Sequence, residues 1–163
     1  MFCNRKNFIF IKESEQNDVS LELLRLCALE RSNITLYVSI EKPNFTCNEL
    51  NIIPLEALEN VIFTHFSGNV EVFKSRLWEI HLTRRKPHTI IFEASAAAIP
   101  RIIFIVSAIF SYVNFLPENV RSILTINKSV VNDDVLKKLT DLYYRETNVF
   151  TDFEYLKQRL SNM

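Results

Sequence analysis

The loop after the first predicted strand is where a nucleotide-binding α/β protein would hold phosphate. In a P-loop, glycines let the backbone wrap around the phosphates, and a lysine followed by serine or threonine opens the next helix. Here the segment from Glu13 to Asp18 reads ESEQND and contains neither glycine nor lysine. Its three carboxylates would repel phosphate. The chain therefore lacks the residues from which a P-loop is built.

Glycine is scarce throughout the chain. Gly68 is the single glycine among 163 residues, whereas a chain of this length with average usage, near 7%, would carry roughly eleven. Glycine supplies the positive φ angles and the close backbone approach that phosphate-binding loops need. A glycine-rich loop of any kind is therefore excluded.

Histidine and cysteine do not form a recognisable catalytic or metal-binding pattern. His65, His81 and His88 have no cysteine or acidic residue at the spacing of a metal site. The three cysteines stand far apart, and an odd number without a C-x-x-C pair argues against a disulfide framework and for a reducing compartment. We therefore predict no catalytic residue, no metal and no cofactor.

The basic residues could contact nucleic acid at one place. Arg84, Arg85 and Lys86 form the only basic triplet, which could bind a phosphate backbone or simply lie in solvent where a helix ends. Lysine and arginine together number 19, as do aspartate and glutamate, so the net charge is zero. Any binding of nucleic acid must then come from a local patch or from a partner.

Strand and helix patterns alternate along the whole chain. Apolar β runs are predicted at Asn7–Lys12, Asn33–Ile40, Asn60–Phe66, His88–Glu93 and Val120–Ile126, with a short last strand at Val149 and Phe150. Helices are predicted at Asp18–Arg31, from Asn69 to about Thr83, at Ala96–Leu116, Asn132–Thr147 and Phe153–Leu160, and Glu41–Leu58 is predicted to be irregular. This alternation predicts one α/β domain over residues 1–163, with a mostly parallel sheet between helices.

One apolar stretch could be mistaken for a membrane span. It runs from Ala94 to Leu116, but Pro100 and Arg101 interrupt it. The uncharged part, Ile102–Leu116, is shorter than the roughly 20 residues that a spanning helix needs. We therefore predict a buried core helix and no contact with a membrane.

Two longer segments resemble the RecA-family recombinase paralogues. The stretch LENVIFTHFSGNVEVFKSRLWEIHLTRRKPHTIIFEAS is similar to the third and fourth strands of that family and the helix between them, and its end resembles the Walker B strand. The stretch SILTINKSV resembles the strand before the second DNA-binding loop. The similarity extends over residues 7–131 and implies a truncated RecA-like three-layer sandwich without a Walker A motif.

The resemblance also implies roles for individual residues. Glu93 stands at the acid of Walker B, as a relic of metal chemistry or as a cap of the following helix. Asn127 matches the family, Ile126 stands where the family has threonine, and Lys128 departs. Lys128 is a candidate DNA contact because the family holds single strands in this loop, although no aromatic residue for base stacking follows it.

Partners are implied by the same resemblance. Recombinase-family subunits join through a segment that adds to a neighbour's sheet, and Phe2, Phe8 and Phe10 are the candidate anchors here. P-loop-free members similar to this chain include the small RecA-like subunits of the Shu complex, which bind a SWIM-domain protein and assist the recombinase. We therefore expect a non-catalytic nuclear subunit of a recombination-mediator complex, in a hetero-oligomer that reaches DNA directly or through the complex.

Two alternatives remain. RecA-like subunits of the Elongator assembly also lack P-loops and act on tRNA. A small α/β enzyme with a glycine-free site would instead belong to a different functional class.

Overall fold

A six-stranded parallel sheet organises the protein. The computed structural model describes residues 7–13, 17–30, 32–40, 45–66, 69–82, 86–94, 108, 111–112, 120–141 and 147–162. The strands are β1 (Asn7–Lys12), β2 (Thr35–Ile40), β3 (Val61–Phe66), β4 (Thr89–Glu93), β5 (Arg121–Asn127) and β6 (Thr147–Phe150). Their order is β3-β2-β4-β5-β1-β6, and every neighbouring pair is parallel. The predicted α/β class with a parallel central sheet is confirmed.

Helices connect these strands in the part of the chain that the structure describes. They are α1 (Asn17–Leu29), α2 (Cys47–Leu50), α3 (Leu55–Leu58), α4 (Val70–His81), α5 (Asp133–Asp141) and α6 (Phe153–Ser161). Side chains cap the longer ones where the sequence offers an acceptor: Asn69 accepts from the Val72 N–H at 3.1 Å. Across the described ranges, no helix has the length and hydrophobicity needed to cross a bilayer.

The sheet buries a separate apolar cluster on each face. Along β1, Phe8 and Phe10 contribute to one cluster and Ile9 to the other, because successive side chains of a strand point to opposite faces. Leu24 of α1 packs in the first cluster and Phe73 of α4 in the second. We call these the α1 face and the α4 face. Burial on both faces explains why the strands read as continuous apolar runs.

Each of these helices packs on one face of the sheet, and the face depends on which strand the helix follows along the chain. Residues of α1, α3 and α6 lie in the α1-face cluster, and residues of α4 and α5 in the α4-face cluster. The chain therefore leaves β1 and β2 towards the α1 face and β3 and β5 towards the α4 face, and Tyr112, between β4 and β5, also packs in the α4-face cluster. Adjacent strands whose connections part to opposite faces form a crevice at their carboxyl ends. The pairs β5/β1, β2/β4 and β3/β2 meet this condition.

Two predicted elements differ from the structure, and a third lies almost wholly outside the described residues. The segment Glu41–Leu58 contains α2 and α3, which are single turns too short for a periodic pattern; Thr46 and Glu49 stabilise α2 through a capping box. The predicted helix Asn132–Thr147 is followed only to Asp141, and Thr147 begins β6. The predicted helix Ala96–Leu116 lies almost wholly outside the described residues.

The proposed role of the first strand in partner binding is corrected. Phe8 and Phe10 are 0% and 1% exposed, and β1 pairs with β5 on one side and β6 on the other. A strand with neighbours on both sides has no free edge to offer another sheet, so these two phenylalanines belong to the core. Phe2 lies outside the described residues, and its role stays a prediction.

A buried polar network joins strands at their amino ends. Asn33 Nδ2 donates to the Cys27 carbonyl at 2.8 Å and to Thr35 Oγ1 at 2.9 Å, and the Thr89 hydroxyl donates to Asn33 Oδ1 at 3.1 Å. Beside it, Arg121 donates to Glu30 at 2.8 Å. Buried polar groups need such partners to avoid a desolvation cost. These bonds therefore join the starts of β2, β4 and β5 to the end of α1.

Truncation of Phe8 tests its assignment to the core. Phe8→Ala is expected to lower the free energy of unfolding by about 3–5 kcal/mol, because it removes a fully buried ring and leaves a cavity. Urea unfolding followed by circular dichroism measures the loss. Tyr155→Ala is the matched control: its ring is 66% exposed on α6, and a change within about 0.5 kcal/mol is expected. Equal stabilities of the two variants would contradict the assignment.

Thiol labelling tests the packing around Cys27. Burial raises the pKa of the Cys27 thiol to about 11, so roughly one thiol in a thousand is ionised at pH 8. Iodoacetamide at that pH is expected to modify the exposed Cys47 and to leave Cys27 unmodified until the protein unfolds. Peptide mass spectrometry reads both sites. Labelling of Cys27 in the folded protein as fast as Cys47 would show the packing to be wrong.

Candidate functional site

The carboxyl end of the sheet carries a row of polar residues on the α1 face. Thr125 of β5, Glu93 of β4, Ser39 of β2 and His65 of β3 are aligned in register across four neighbouring strands. The equivalent row one step earlier on the same face is apolar or aromatic: it comprises Ile123, Ile91, Tyr37 and Phe63. Ligands of open α/β sheets bind beyond the carboxyl ends of the strands, so the polar row is the candidate site.

A buried ion pair engages Glu93, so the half of the row that Glu93 and Thr125 form is not open to a ligand. Lys12 Nζ lies 3.5 Å from Glu93 Oε1, and both side chains are 1% exposed. Lys12 also donates to Ser20 Oγ of α1 at 2.7 Å. Because β5 stands between β1 and β4 in the sheet, the pair reaches across a strand. It fastens β1, β4 and the first turns of α1 together.

The ion pair lies next to the β5/β1 crevice, where this topology would place a phosphate group. A phosphate there would need a free cation, as the lysine of a P-loop provides. The ammonium of Lys12 is instead held by Glu93 and Ser20. The positive charge at the end of β1 is thus already neutralised inside the protein.

Sequence reasoning located Glu93 and missed its partner. Glu93 ends β4 and is buried. Its roles as a relic of Walker B or as a cap of the following helix stay predictions, because that helix begins outside the described residues. From the sequence, Lys12 is predicted only as the last residue of an apolar strand. A lysine at the end of an apolar strand was the available signal, because a lysine that becomes buried needs a counter-charge.

Lys128 lies at the same end of the sheet but on the surface. Asn127 Oδ1 accepts from the Ser129 N–H at 3.1 Å and so caps the 3₁₀ turn Lys128–Val130 that follows β5. Lys128 Nζ is 3.3 Å from Glu13 Oε1, and both side chains are more than half exposed. Surface ion pairs contribute little stability, so Lys128 can exchange Glu13 for another anion at small cost.

Lys86 and Lys128, the two candidate DNA contacts that the structure describes, lie at opposite ends of the sheet. Lys86 precedes β4 and therefore lies at the amino end of the sheet, whereas Lys128 follows β5 at the carboxyl end. The strands between them are about 15–20 Å long. Arg84 and Arg85 lie outside the described residues. Direct contact of DNA by any of the four stays a prediction.

His65 and its register neighbours in the polar row do not have the arrangement of a hydrolytic triad. A triad places histidine between the nucleophile and the acid, but the register puts Ser39 between Glu93 and His65. His88 is at the amino end, where its Nδ1 accepts from the Ile34 N–H at 3.0 Å. Within the described ranges, no three histidine, cysteine or acidic residues gather as metal ligands would.

Comparisons with known proteins find a likeness of structure alone. No protein-family model and no curated protein matches the chain. Among solved structures, the chain is similar to the flagellar accessory protein FlaH of Methanocaldococcus jannaschii, with 18% identity and a TM-score of 0.45 over 84% of this chain and 68% of that one. This likeness concerns the fold and carries no argument about ligands, partners or activity.

A double-mutant cycle tests the buried ion pair. Lys12→Met and Glu93→Met are each expected to lower the free energy of unfolding by about 3–5 kcal/mol, because each leaves the other charge buried without its partner. The double variant should lose far less than the sum, since neither charge remains. Urea unfolding of the four proteins gives the coupling energy. Additive losses would mean that the two side chains do not interact.

Proposed function

We propose that this chain is a non-catalytic RecA-like subunit of a recombination-mediator complex of the Shu type. In this role it binds a SWIM-domain partner in the nucleus and promotes assembly of the recombinase on DNA during homologous recombination repair. Its contribution is a folded surface, and it turns over no nucleotide.

The observation that carries the proposal is the ion pair between Lys12 and Glu93. In a RecA-like ATPase the end of the first strand and the Walker B acid serve nucleotide and metal. In this chain the corresponding side chains are 3.5 Å apart and buried, and the loop between β1 and α1 has no glycine. The pair favours a domain that uses this region for stability. The partner and the pathway rest on the sequence resemblance.

The arrangement of the polar row also favours a binding module over a small α/β enzyme. Glu93 is engaged by Lys12, and Ser39 separates it from His65 in the register. These residues therefore do not supply the nucleophile, base and orienting acid of a hydrolase. The Elongator-type alternative is equally compatible with these features and is distinguished only by its partners.

Purification from the native cells tests the proposal. The chain, carrying an affinity tag, is expected to co-purify with a SWIM-domain protein and a recombinase, identified by mass spectrometry. Recovery of Elongator subunits in their place would contradict the recombination role. Turnover of labelled ATP by the purified chain, abolished in Glu93→Met, would contradict the non-catalytic role.

The same preparation tests the surface around Lys128. Lys128→Glu reverses an exposed charge beside Glu13 and is expected to weaken binding of single-stranded DNA by the purified assembly. Lys137→Glu on the exposed side of α5 is the matched control. Equal DNA affinity of the two variant assemblies, measured by fluorescence anisotropy at one salt concentration, would remove Lys128 from the DNA-binding surface.

A further inference from the structure

A cleft opens at the carboxyl ends of β2 and β3. It lies beside Ser39 and His65, the members of the polar row that are away from the ion pair. Its volume is about 230 Å³. The side chains that line it include Tyr37, Ser39, Phe45, Leu50, Phe63 and His65. The pair β3/β2 is one of the points where the connections part to opposite faces, which is where this class of sheet binds ligands.

Three aromatic rings form the wall of the cleft. The centroid of Tyr37 is 5.4 Å from that of Phe45 and 5.9 Å from that of Phe63. Tyr37 is buried and lies at the base, whereas Phe63 is 47% exposed and lies at the rim. Within the described sheet β3 pairs only with β2, so the cleft is open beside Phe63. A planar aromatic group entering there would stack on a preformed surface.

Two polar side chains lie at one end of this aromatic wall. Ser39 is buried and His65 is exposed, and the two are register neighbours on β2 and β3. A hydroxyl and an imidazole can both donate and accept hydrogen bonds. A mostly apolar cleft with a few polar groups is typical of a site that orients a small ligand. This ligand has an aromatic face and a polar edge.

Size and charge narrow the ligand further. Drug-sized ligands occupy pockets of roughly 300–1,000 Å³, so a cleft of about 230 Å³ suits a single ring system. Among the described residues that line the cleft there is no lysine and no arginine, so none of them would supply a cation for a phosphate group. These features favour an uncharged heteroaromatic group over a nucleotide phosphate.

We propose that the cleft between β2 and β3 binds a nucleobase, either in a free nucleoside or as an unpaired base of a single strand. The base stacks against Phe63 and Tyr37 and presents its hydrogen-bonding edge to Ser39 and His65. An aromatic side chain of a peptide would use the rings but leave most of the polar end unused. The proposal depends on the cleft and is independent of the subunit role.

Fluorescence titration with 2-aminopurine riboside tests this site. Stacking quenches the fluorescence of 2-aminopurine, so the chain is expected to give saturable quenching that adenosine reverses by competition. Phe63→Ala should weaken binding by roughly tenfold or more, the typical loss when one stacking ring is removed. Tyr155→Ala, which removes an exposed ring from α6, should bind as the unaltered chain does. Circular dichroism confirms that both variants are folded.

Further ligands distinguish a free nucleoside from an unpaired base of a strand, and a nucleobase from a nucleotide phosphate or an aromatic side chain. A short thymidine oligonucleotide with one central 2-aminopurine reports an unpaired base in a strand, and quenching of this probe or of the riboside supports the proposal. Adenosine monophosphate should bind no more tightly than adenosine, and tighter binding would contradict the argument from charge. The proposal is overturned by a lack of saturable quenching with both probes, by equal affinity of Phe63→Ala, or by competition from N-acetyltryptophanamide but not from adenosine.

Discussion

A lysine and a glutamate buried at the same end of a parallel sheet constrain what this protein can do. Taking either charge out of water is costly unless it finds an opposite charge and further hydrogen bonds, and Lys12 finds Glu93 and Ser20. The contact ties β1 to β4 over the strand between them and secures the start of α1. These elements surround the place where a domain of this topology would otherwise receive a ligand.

The two halves of the carboxyl edge consequently differ in character. Around β1, β5 and β4, Lys12 and Glu93 neutralise each other inside the protein, and Lys128 lies exposed on a surface turn. Around β2 and β3 the edge is open and aromatic. A ligand that depends on charge is therefore disfavoured in the first half, while one that depends on stacking is favoured in the second. At the amino end, the described polar side chains of Asn33, Thr35 and Thr89 bond to one another.

The sequence allowed the strands and the longer helices to be predicted, since periodicity and β-branched content are local signals. Strand β1 was predicted with its observed bounds, and Glu93 was recognised at the end of β4. Strand order is not a local signal, so β1 was mistaken for an edge and Phe8 for a surface anchor. Lys12 was overlooked because its counter-charge is 81 positions away along the chain. The aromatic cleft was missed for the same reason: its rings come from three separate segments.

The ion pair also shapes the evolutionary paths open to this chain. A phosphate-binding descendant would have to free Lys12 from Glu93 and replace the loop between β1 and α1 with glycines. Changing either charged residue first leaves the other charge buried without a partner. The resulting loss in the free energy of unfolding is comparable to much of the stability of a small domain. Single substitutions therefore pass through poorly folded proteins before any phosphate can bind. The ion pair is therefore easily retained during evolution, and its loss through successive single substitutions is disfavoured.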